Sequence, residues 1–300
     1  MTPEPVRLEE LPAAFALLFQ RFESRGREVR SAAALDLVRR GELDSQGLFV
    51  LRRRSGLRAA VLAVALPGAA ALVWPPQCVP SVDAASAEDA LLHRAAAWLR
   101  GRKVKVAQAL LAPEEVRSAA ALSRNGFPNV TQLCFLRHDL HVLPRRGPQT
   151  ALQWRLYDPA HPCAFHETLS KTYEHTLDCP ELNGVRSVEE VVAAHRGDGR
   201  LHPGPWHLAL ADGEPVGVLL LASAETGEWE VSYVGVVPAA RRRGFGRELT
   251  AHALHQAKAA DASSLSLAVD ARNRPAQQMY RGLGFEWVER REVFLAVWNG

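Results

Sequence analysis

"VVPAARRRGFGREL", residues 236–249, runs from an apolar strand end through three arginines and two glycines into a helical pattern. A strand that enters a glycine-bearing turn and leaves it as a helix is a generic anion site, because the first-turn amides have no intrahelical acceptors and the helix dipole adds positive potential. Gly244 and Gly246 would let the backbone come close to a pyrophosphate. The turn fits the common nucleotide folds poorly, since neither the Walker lysine nor a full GxGxxG is present. Taken alone it reads equally well as a bland turn with solvated arginines. A second run, Arg52 to Arg54, has no glycine motif behind it, and lysine is confined to Lys103, Lys105, Lys171 and Lys258, so arginine runs are common in this chain.

The flanking sequence gives an α/β order. "WHLALADGEPVGVLLLAS" holds two apolar runs joined across Asp212-Gly213, a strong hairpin signal. "EWEVSYVGVVP" is a strand ending at Pro238, and Glu248 to Ala260 is a helix with Leu249, Ala253 and Ala257 on one stripe. Leu265, Leu267 and Val269 alternate as in a strand, "NRPAQQMY" opens a short helix with Asn273 as cap and Pro275 in its first turn, and "GFEWVERREVFLAVW" is a final strand. Upstream, helices are predicted around Pro162 to Tyr173 and Val188 to His195.

The proline-bearing segment "LPRRGPQT" at Leu143 to Thr150 separates two halves of about one domain each. The expected domains are therefore 1–143 and 151–300, with a linker at 144–150. The first half repeats the order in blurred form: three strands, a helix at Ala87 to Leu99, a strand, a helix at Glu114 to Ser123, and a last strand after "SRNGF". That stretch echoes "RGLGF" at Arg281 to Phe285 at the same point of the order, which implies an internal duplication.

Composition narrows the partners. Of the 300 residues 47% are hydrophobic, enough for sizeable cores, and a net charge of +3 gives no electrostatic case for nucleic acid. Cys78, Cys134, Cys163 and Cys179 lack the short spacings of metal sites and read as free thiols of a reducing, cytoplasmic compartment. No metal is expected. Acidic residues stand where a signal peptide would be basic. The apolar run Ala59 to Trp74 is short for a membrane span and broken by Pro67-Gly68, so it reads as two strands and a turn.

A second motif changes the weight of the opening one. Arg241, Gly244 and Gly246 have the spacing RxxGxG, and Asn273, Ala276, Tyr280, Gly284 and Phe285 have the spacing NxxAxxxYxxxGF. In this order and separation the two resemble the GNAT superfamily of acyl-CoA-dependent N-acetyltransferases, over roughly Trp206 to Val297. The resemblance implies two tandem GNAT-like domains, each a mixed, mostly antiparallel central sheet flanked by helices. It implies acetyl-CoA as co-substrate, with the backbone around Arg243, Gly244, Phe245, Gly246 and Arg247 on the diphosphate. Arg241 and Arg242 would add charge or reach the ribose phosphate, Val236 and Val237 would pair with the pantetheine arm, and Asn273 would hydrogen-bond it.

The same resemblance implies direct attack by an amine in a ternary complex. Tyr280 sits at the family's general acid, the alternative being core packing; a desolvated phenol can protonate a departing thiolate. Glu230 sits at the place of a catalytic glutamate in some members, with Glu228 and Asp270 as competitors and a solvated edge position as the plain alternative. A strand amide near Val234 to Val236 would polarise the carbonyl. Acceptor recognition is expected from "TYEHTLDCPELNGVRS", where Tyr173, His175, Asp178 and Glu181 cluster, though the two acids could equally cap the loop. Tyr233 and Trp229 could line the same cleft or pack as core.

The first half departs from the pattern. "VWPPQCVPSVDAASAEDALL" stands in place of the pyrophosphate loop without a glycine, so a degenerate copy that builds or walls the acceptor cleft is expected. The tandem layout resembles that of mycothiol synthase-like bacterial proteins, an architectural likeness that transfers no substrate. The reading is an acetyltransferase for a small-molecule or peptidyl amine; the alternative is a non-catalytic acyl-CoA-binding or partner-binding protein on the same fold.

Overall fold

The computed structural model describes residues 2–54, 56–80, 83–144, 152–197, 202–224 and 226–298. From residue 145 on, the expected linker lies outside them. Two compact units divide the chain: Met1–Val130 with Glu292–Gly300, and Thr131–Arg291.

In the first unit the chain forms β1 (Glu4–Pro5), α1 (Leu11–Leu18), α2 (Ser24–Arg39), β2 (Leu48–Arg53), β3 (Gly56–Leu66), β4 (Ala70–Cys78), α3 (Ala84–Gly101), β5 (Val106–Leu111) and α4 (Val116–Arg124). β6 (Asn129–His138) then carries it into the second unit, with β7 (Leu152–Leu156), α5 (Cys163–Tyr173), α6 (Val188–Arg196), β8 (His202–Ala211), β9 (Glu214–Ser223), β10 (Glu228–Val236), α7 (Phe245–Ala259), β11 (Ser264–Asp270) and α8 (Arg274–Arg281). β12 (Glu286–Val297) ends the series. Among the described residues no helix is long and apolar enough to cross a membrane; the run Ala59 to Trp74 is the hairpin of β3 and β4.

Both units have the mixed sheet that the sequence implies. In the second, β7, β8, β9 and β10 are antiparallel neighbours, β10 pairs with β11 in parallel, and β11 pairs with β6 antiparallel. In the first, β1 to β4 are antiparallel, β4 pairs with β5 in parallel, and β5 pairs with β12 antiparallel. The boundary expected at 143–151 is displaced. Each half completes its sheet with the other half's last strand: Leu133 to His138 of β6 pair with β11, and Glu292 to Val297 of β12 pair with β5. The cores follow, with Cys134 and Leu136 buried in the second unit and Phe294 and Ala296 in the first. An apolar alternation fixes that a strand has a buried face and leaves open which sheet it joins.

Within each unit the sheet is packed on both faces. Along β9, Leu219 and Leu221 meet α7 through Leu249, Ala253 and Ala257, while Val218 and Leu220 meet Phe165 and Leu169 of α5. Burying a leucine of this kind contributes about 2 kcal/mol. The hairpin between β8 and β9 turns at Asp212 (φ 52) and Gly213 (φ 84), both left-handed, as a two-residue hairpin requires. α7 begins three residues before its expected start, at Phe245, because Gly244 serves as its N-cap.

The duplication is visible in the geometry. β4 pairs with β5 over three positions, Ala70 to Leu72 against Val106 to Gln108, and β10 pairs with β11 over three, Glu228 to Glu230 against Ser264 to Ser266. Gly126 (φ 81) and Gly284 (φ 92) end α4 and α8 in the same left-handed conformation, each followed by a buried phenylalanine, Phe127 and Phe285.

Candidate functional site

The site starts where two strands part. Parallel pairing of β10 with β11 ends at Glu230 opposite Ser266; beyond it β10 continues beside β9 to Val236, and β11 beside β6 to Asp270. A bulge between Val231 and Tyr233 bends β10 at this point. The stretch Tyr233 to Val236 therefore presents an open backbone edge, which can take hydrogen bonds from an extended amide-bearing chain.

Gly235 lets α5 press onto this edge. A Cβ there would lie 2.6 Å from Thr172 Cβ and 2.9 Å from the Tyr233 ring. Thr172 Oγ1 donates to Leu169 O at 2.6 Å, so Tyr233 OH donates to Thr172 Oγ1 at 2.8 Å. Tyr173 stacks on Tyr233 with centroids 5.0 Å apart.

After β10, Pro238 to Ala240 form a short turn, Arg242 takes φ 65 and Gly244 φ 91, and α7 opens. The Gly244 carbonyl receives the amides of Arg247 and Glu248, which leaves the amides of Gly244, Phe245 and Gly246 without an acceptor among the described residues. A Cβ on Gly244 would meet no atom within 4 Å. These features fit the diphosphate of an acyl-CoA: free amides, a helix N-terminus, and clear space above them.

A cavity of about 430 Å³ joins these parts. Val234, Gly235 and Val236 line one wall, Arg242, Gly244, Gly246 and Arg247 the α7 end, and Asn273, Met279 and Tyr280 the α8 wall. Asn273 accepts the Ala276 amide at 3.3 Å as the cap of α8. Tyr280 is buried, and its hydroxyl makes no hydrogen bond to a described residue. Burial, then the charge of Asp178, pushes that hydroxyl well above the usual phenol range, so it holds its proton at neutral pH.

A second cavity, of about 420 Å³, is lined by Tyr173, Leu182, Asn183, Arg186 and His195. It shares Asp178 and Tyr233 with the first. All lining residues of both cavities belong to the second unit. Burial raises Tyr173 to about 12 and moves Tyr233 higher still, so both phenols stay neutral there.

Several sequence-predicted residues are placed otherwise than expected. Arg241 lines the first cavity, but its guanidinium donates to four carbonyls: Val236 and His175 at 3.0 Å, Thr172 at 3.0 Å and Glu174 at 2.7 Å. It therefore ties the end of α5 to β10, and its donors are not directed to a phosphate. Arg243 lies over the Phe245 ring, 4.9 Å from its centroid, and Phe245 is core; neither side chain lines the cavity, and the contribution expected of these two was their backbone alone. The Val237 amide donates to Val216 O, so it is not open to a ligand. Glu181 is held by Arg272 at 2.6 and 2.9 Å, which keeps its carboxyl below the usual range, and it lines neither cavity. Glu230 shares the β10 face of Tyr233, at the last position paired with β11, and also lines neither.

Thr172, Gly235 and the Asp270–Arg272 pair were not assigned these positions from sequence. Asp270 is fully buried and accepts from Thr131 Oγ1 at 2.7 Å, Cys179 N at 3.0 Å and Arg272 at 2.7 to 3.2 Å. Asp178, Cys179 and Asp270 gather their side-chain atoms within 4.8 Å of one another. The Arg272 guanidinium already supplies the positive charge at this cluster.

A parallel pair that splays, a glycine-capped helix at its mouth and a buried tyrosine facing the gap define a GNAT-type fold. Comparison with known proteins agrees. Residues 166–285 match the Acetyltransferase (GNAT) family. The mycothiol acetyltransferase of Thermobifida fusca is 41% identical over 101 residues, 32% of this chain and 28% of that protein. That of Thermomonospora curvata is 34% identical over 108 residues, 36% of each. The alignments thus span about a quarter to a third of these relatives. Among solved structures, a GCN5-related N-acetyltransferase from Sphaerobacter thermophilus has a TM-score of 0.65 at 17% identity, covering 98% of this chain and 95% of that one. A tandem GNAT protein from the clavulanic acid biosynthesis pathway has 0.57 at 15%, covering 99% and 97%. Residues 166–285 thus match the GNAT family, and the chain as a whole has the fold of tandem GNAT structures.

Proposed function

We propose that this chain transfers the acetyl group of acetyl-CoA to a primary amine of a small molecule, in one site in the second unit. The observation that carries this reading is the single cavity that runs from the free amides of α7, past the open edge of β10, to the Tyr280 hydroxyl. Acetyl-CoA supplies an activated thioester. The amides of Gly244 to Gly246 hold the diphosphate, and the edge at Val234 to Val236 fixes the extended arm and polarises the carbonyl. Tyr280 delivers its proton to the departing sulfur, for which burial keeps it protonated. The name borne by the relatives, mycothiol acetyltransferase, favours a small-molecule acceptor over a peptidyl one.

The corresponding positions of the first unit argue for one site. The offset along the chain that carries Gly126 to Gly284 also carries Leu122 to Tyr280, Glu88 to Gly246 and Leu72 to Glu230. Glu88 is buried and paired with Arg117 and Arg124, so the position that matches Gly246 carries a carboxylate where the second unit has none.

The test is release of CoA thiol from acetyl-CoA with a panel of primary amines, in the wild type and in Tyr280→Phe. Loss of about 10²-fold or more in turnover, at unchanged acetyl-CoA affinity, is expected for a missing general acid. Full turnover in the variant removes Tyr280 from the chemistry, and no turnover of any amine by the wild type leaves the binding-module alternative.

A further inference from the structure

Among the described residues Asp178 is the only carboxylate that lines either cavity, and it lines both. Its place is built. The loop after α5 passes through Cys179 in a left-handed conformation (φ 43), which costs a residue other than glycine about 1 kcal/mol and persists only when neighbours enforce it. The enforcing contacts are reciprocal: Asp178 Oδ1 accepts the Asp270 amide at 2.8 Å, and Asp270 Oδ2 accepts the Cys179 amide at 3.0 Å. Asp270 is in turn fixed by Thr131 and Arg272, and Arg272 by Glu181. Asp178 Oδ2 makes no hydrogen bond to a described residue.

We propose that Asp178 is the group that accepts the acceptor amine's proton during acetyl transfer, and that Asp270 and Arg272 are positioning residues that aim it. This rests on the acetyl-transfer reading given above. The nitrogen lone pair forms the C–N bond to the acetyl carbon, and the electron pair of the C–S bond leaves with sulfur. The nitrogen's proton passes to the Asp178 carboxylate while the Tyr280 hydroxyl proton goes to sulfur. Amide and thiol are the products, and passage of the proton from Asp178 to the Tyr280 oxygen, directly or through water, restores both side chains. An amine nitrogen becomes acidic as its lone pair is consumed, so a carboxylate suffices as base. Glu230 lacks this placement, since it lines neither cavity.

The surroundings tune the group. Burial pushes Asp178 up to about 6, and the Asp270 charge adds to this; the Asp270 amide and Arg272 oppose it. Tyr280 of α8, Tyr173 of α5, Tyr233 of β10 and the Cys179 thiol also face it, all pushed upward and neutral near pH 7. A base of this kind is active above about pH 6 and silenced below it.

The experiment measures kcat/KM against pH for the full chain, with acetyl-CoA and the best amine of a panel of alkyl amines, aminoacyl amides and amino sugars, reading CoA thiol release. Asp178→Asn keeps an oxygen for the Asp270 amide. It is expected to lose about 10²-fold in turnover and the acidic limb, with acetyl-CoA affinity unchanged by calorimetry. Asp178→Glu should restore part of the rate and the limb, an outcome that a purely structural role would not give. Retention of the limb and rate in Asp178→Asn, or their loss in Glu230→Gln instead, overturns the assignment. A wild type that binds acetyl-CoA and acetylates no amine overturns the acetyl-transfer reading itself, and this assignment with it.

Discussion

Tyr280 and Leu122 hold the same position in two copies of one helix ending: the amide of Phe285 donates to Tyr280 O at 3.1 Å, and that of Phe127 to Leu122 O at 3.0 Å. Each bond closes the last turn of its helix from five residues ahead, with a left-handed glycine between. The two copies thus keep their backbone and differ in the group offered to a ligand. Calorimetric titration of the chain with acetyl-CoA is expected to give one site. Two sites would show that Glu88 and Leu122 do not disable the first copy.

Arg241 is expected to matter for stability. Arg241→Met removes four hydrogen bonds from a charged donor to the carbonyls of residues 172, 174, 175 and 236, some partly solvated, at a cost of about 2 kcal/mol. Thermal unfolding should show a Tm lower by several degrees. Arg242→Asn, which tolerates the left-handed φ of 65, should leave the Tm in place and weaken acetyl-CoA binding. The reverse pattern would return Arg241 to the phosphate.

These two arginines mark how far the sequence was legible. Local features were: the Asp212-Gly213 hairpin, the glycine turn before α7, the Asn273 cap and the duplicated "GF" ending are all written in a few adjacent residues and all have the expected conformation. Pairings between distant segments were not. The partners of Arg241 lie in α5 and the loop after it, and Glu181 meets Arg272 from another part of the chain, so an isolated reading sets Arg241 on the cofactor and leaves Glu181 between acceptor and loop cap. Gly235 carries no turn signal, and its need for hydrogen as a side chain comes from Thr172, distant in sequence, and from the Tyr233 ring. The exchange of β6 and β12 was likewise illegible, because both strands alternate suitably for either sheet.

The two glycines of the turn should separate strain from occlusion. Gly244 has φ 91, so Gly244→Ala is expected to cost about 1 kcal/mol, and its methyl group would project into open space at the mouth of the turn. A Cβ on Gly246 would meet Met279 Sδ at an ordinary 3.4 Å, so Gly246→Ala should unfold at nearly the wild-type temperature. Acetyl-CoA affinity should fall at least about tenfold in Gly244→Ala, beyond anything the lost stability explains. Wild-type affinity in that variant would place the diphosphate elsewhere.

Asp178 should make the folded protein less stable at neutral pH than it need be. Its carboxyl is raised from 3.8 to about 6, so between these values the folded state holds a proton that the unfolded chain has released. Stability from this group is therefore highest below about pH 4, falls as pH rises through 6, and is flat beyond. The full span is ~2 kcal/mol, from two units at about 1.4 kcal/mol each less the relaxation that a loop side chain allows. Asn at this position has no proton to lose and keeps the bond to the Asp270 amide. Asp178→Asn is accordingly expected to have a higher Tm than the wild type at pH 7.5, with the difference shrinking toward pH 4. A difference that is constant with pH, or that grows in acid, would mean that the carboxylate is ionised without cost in the fold, and would remove the reason for a base that switches near pH 6.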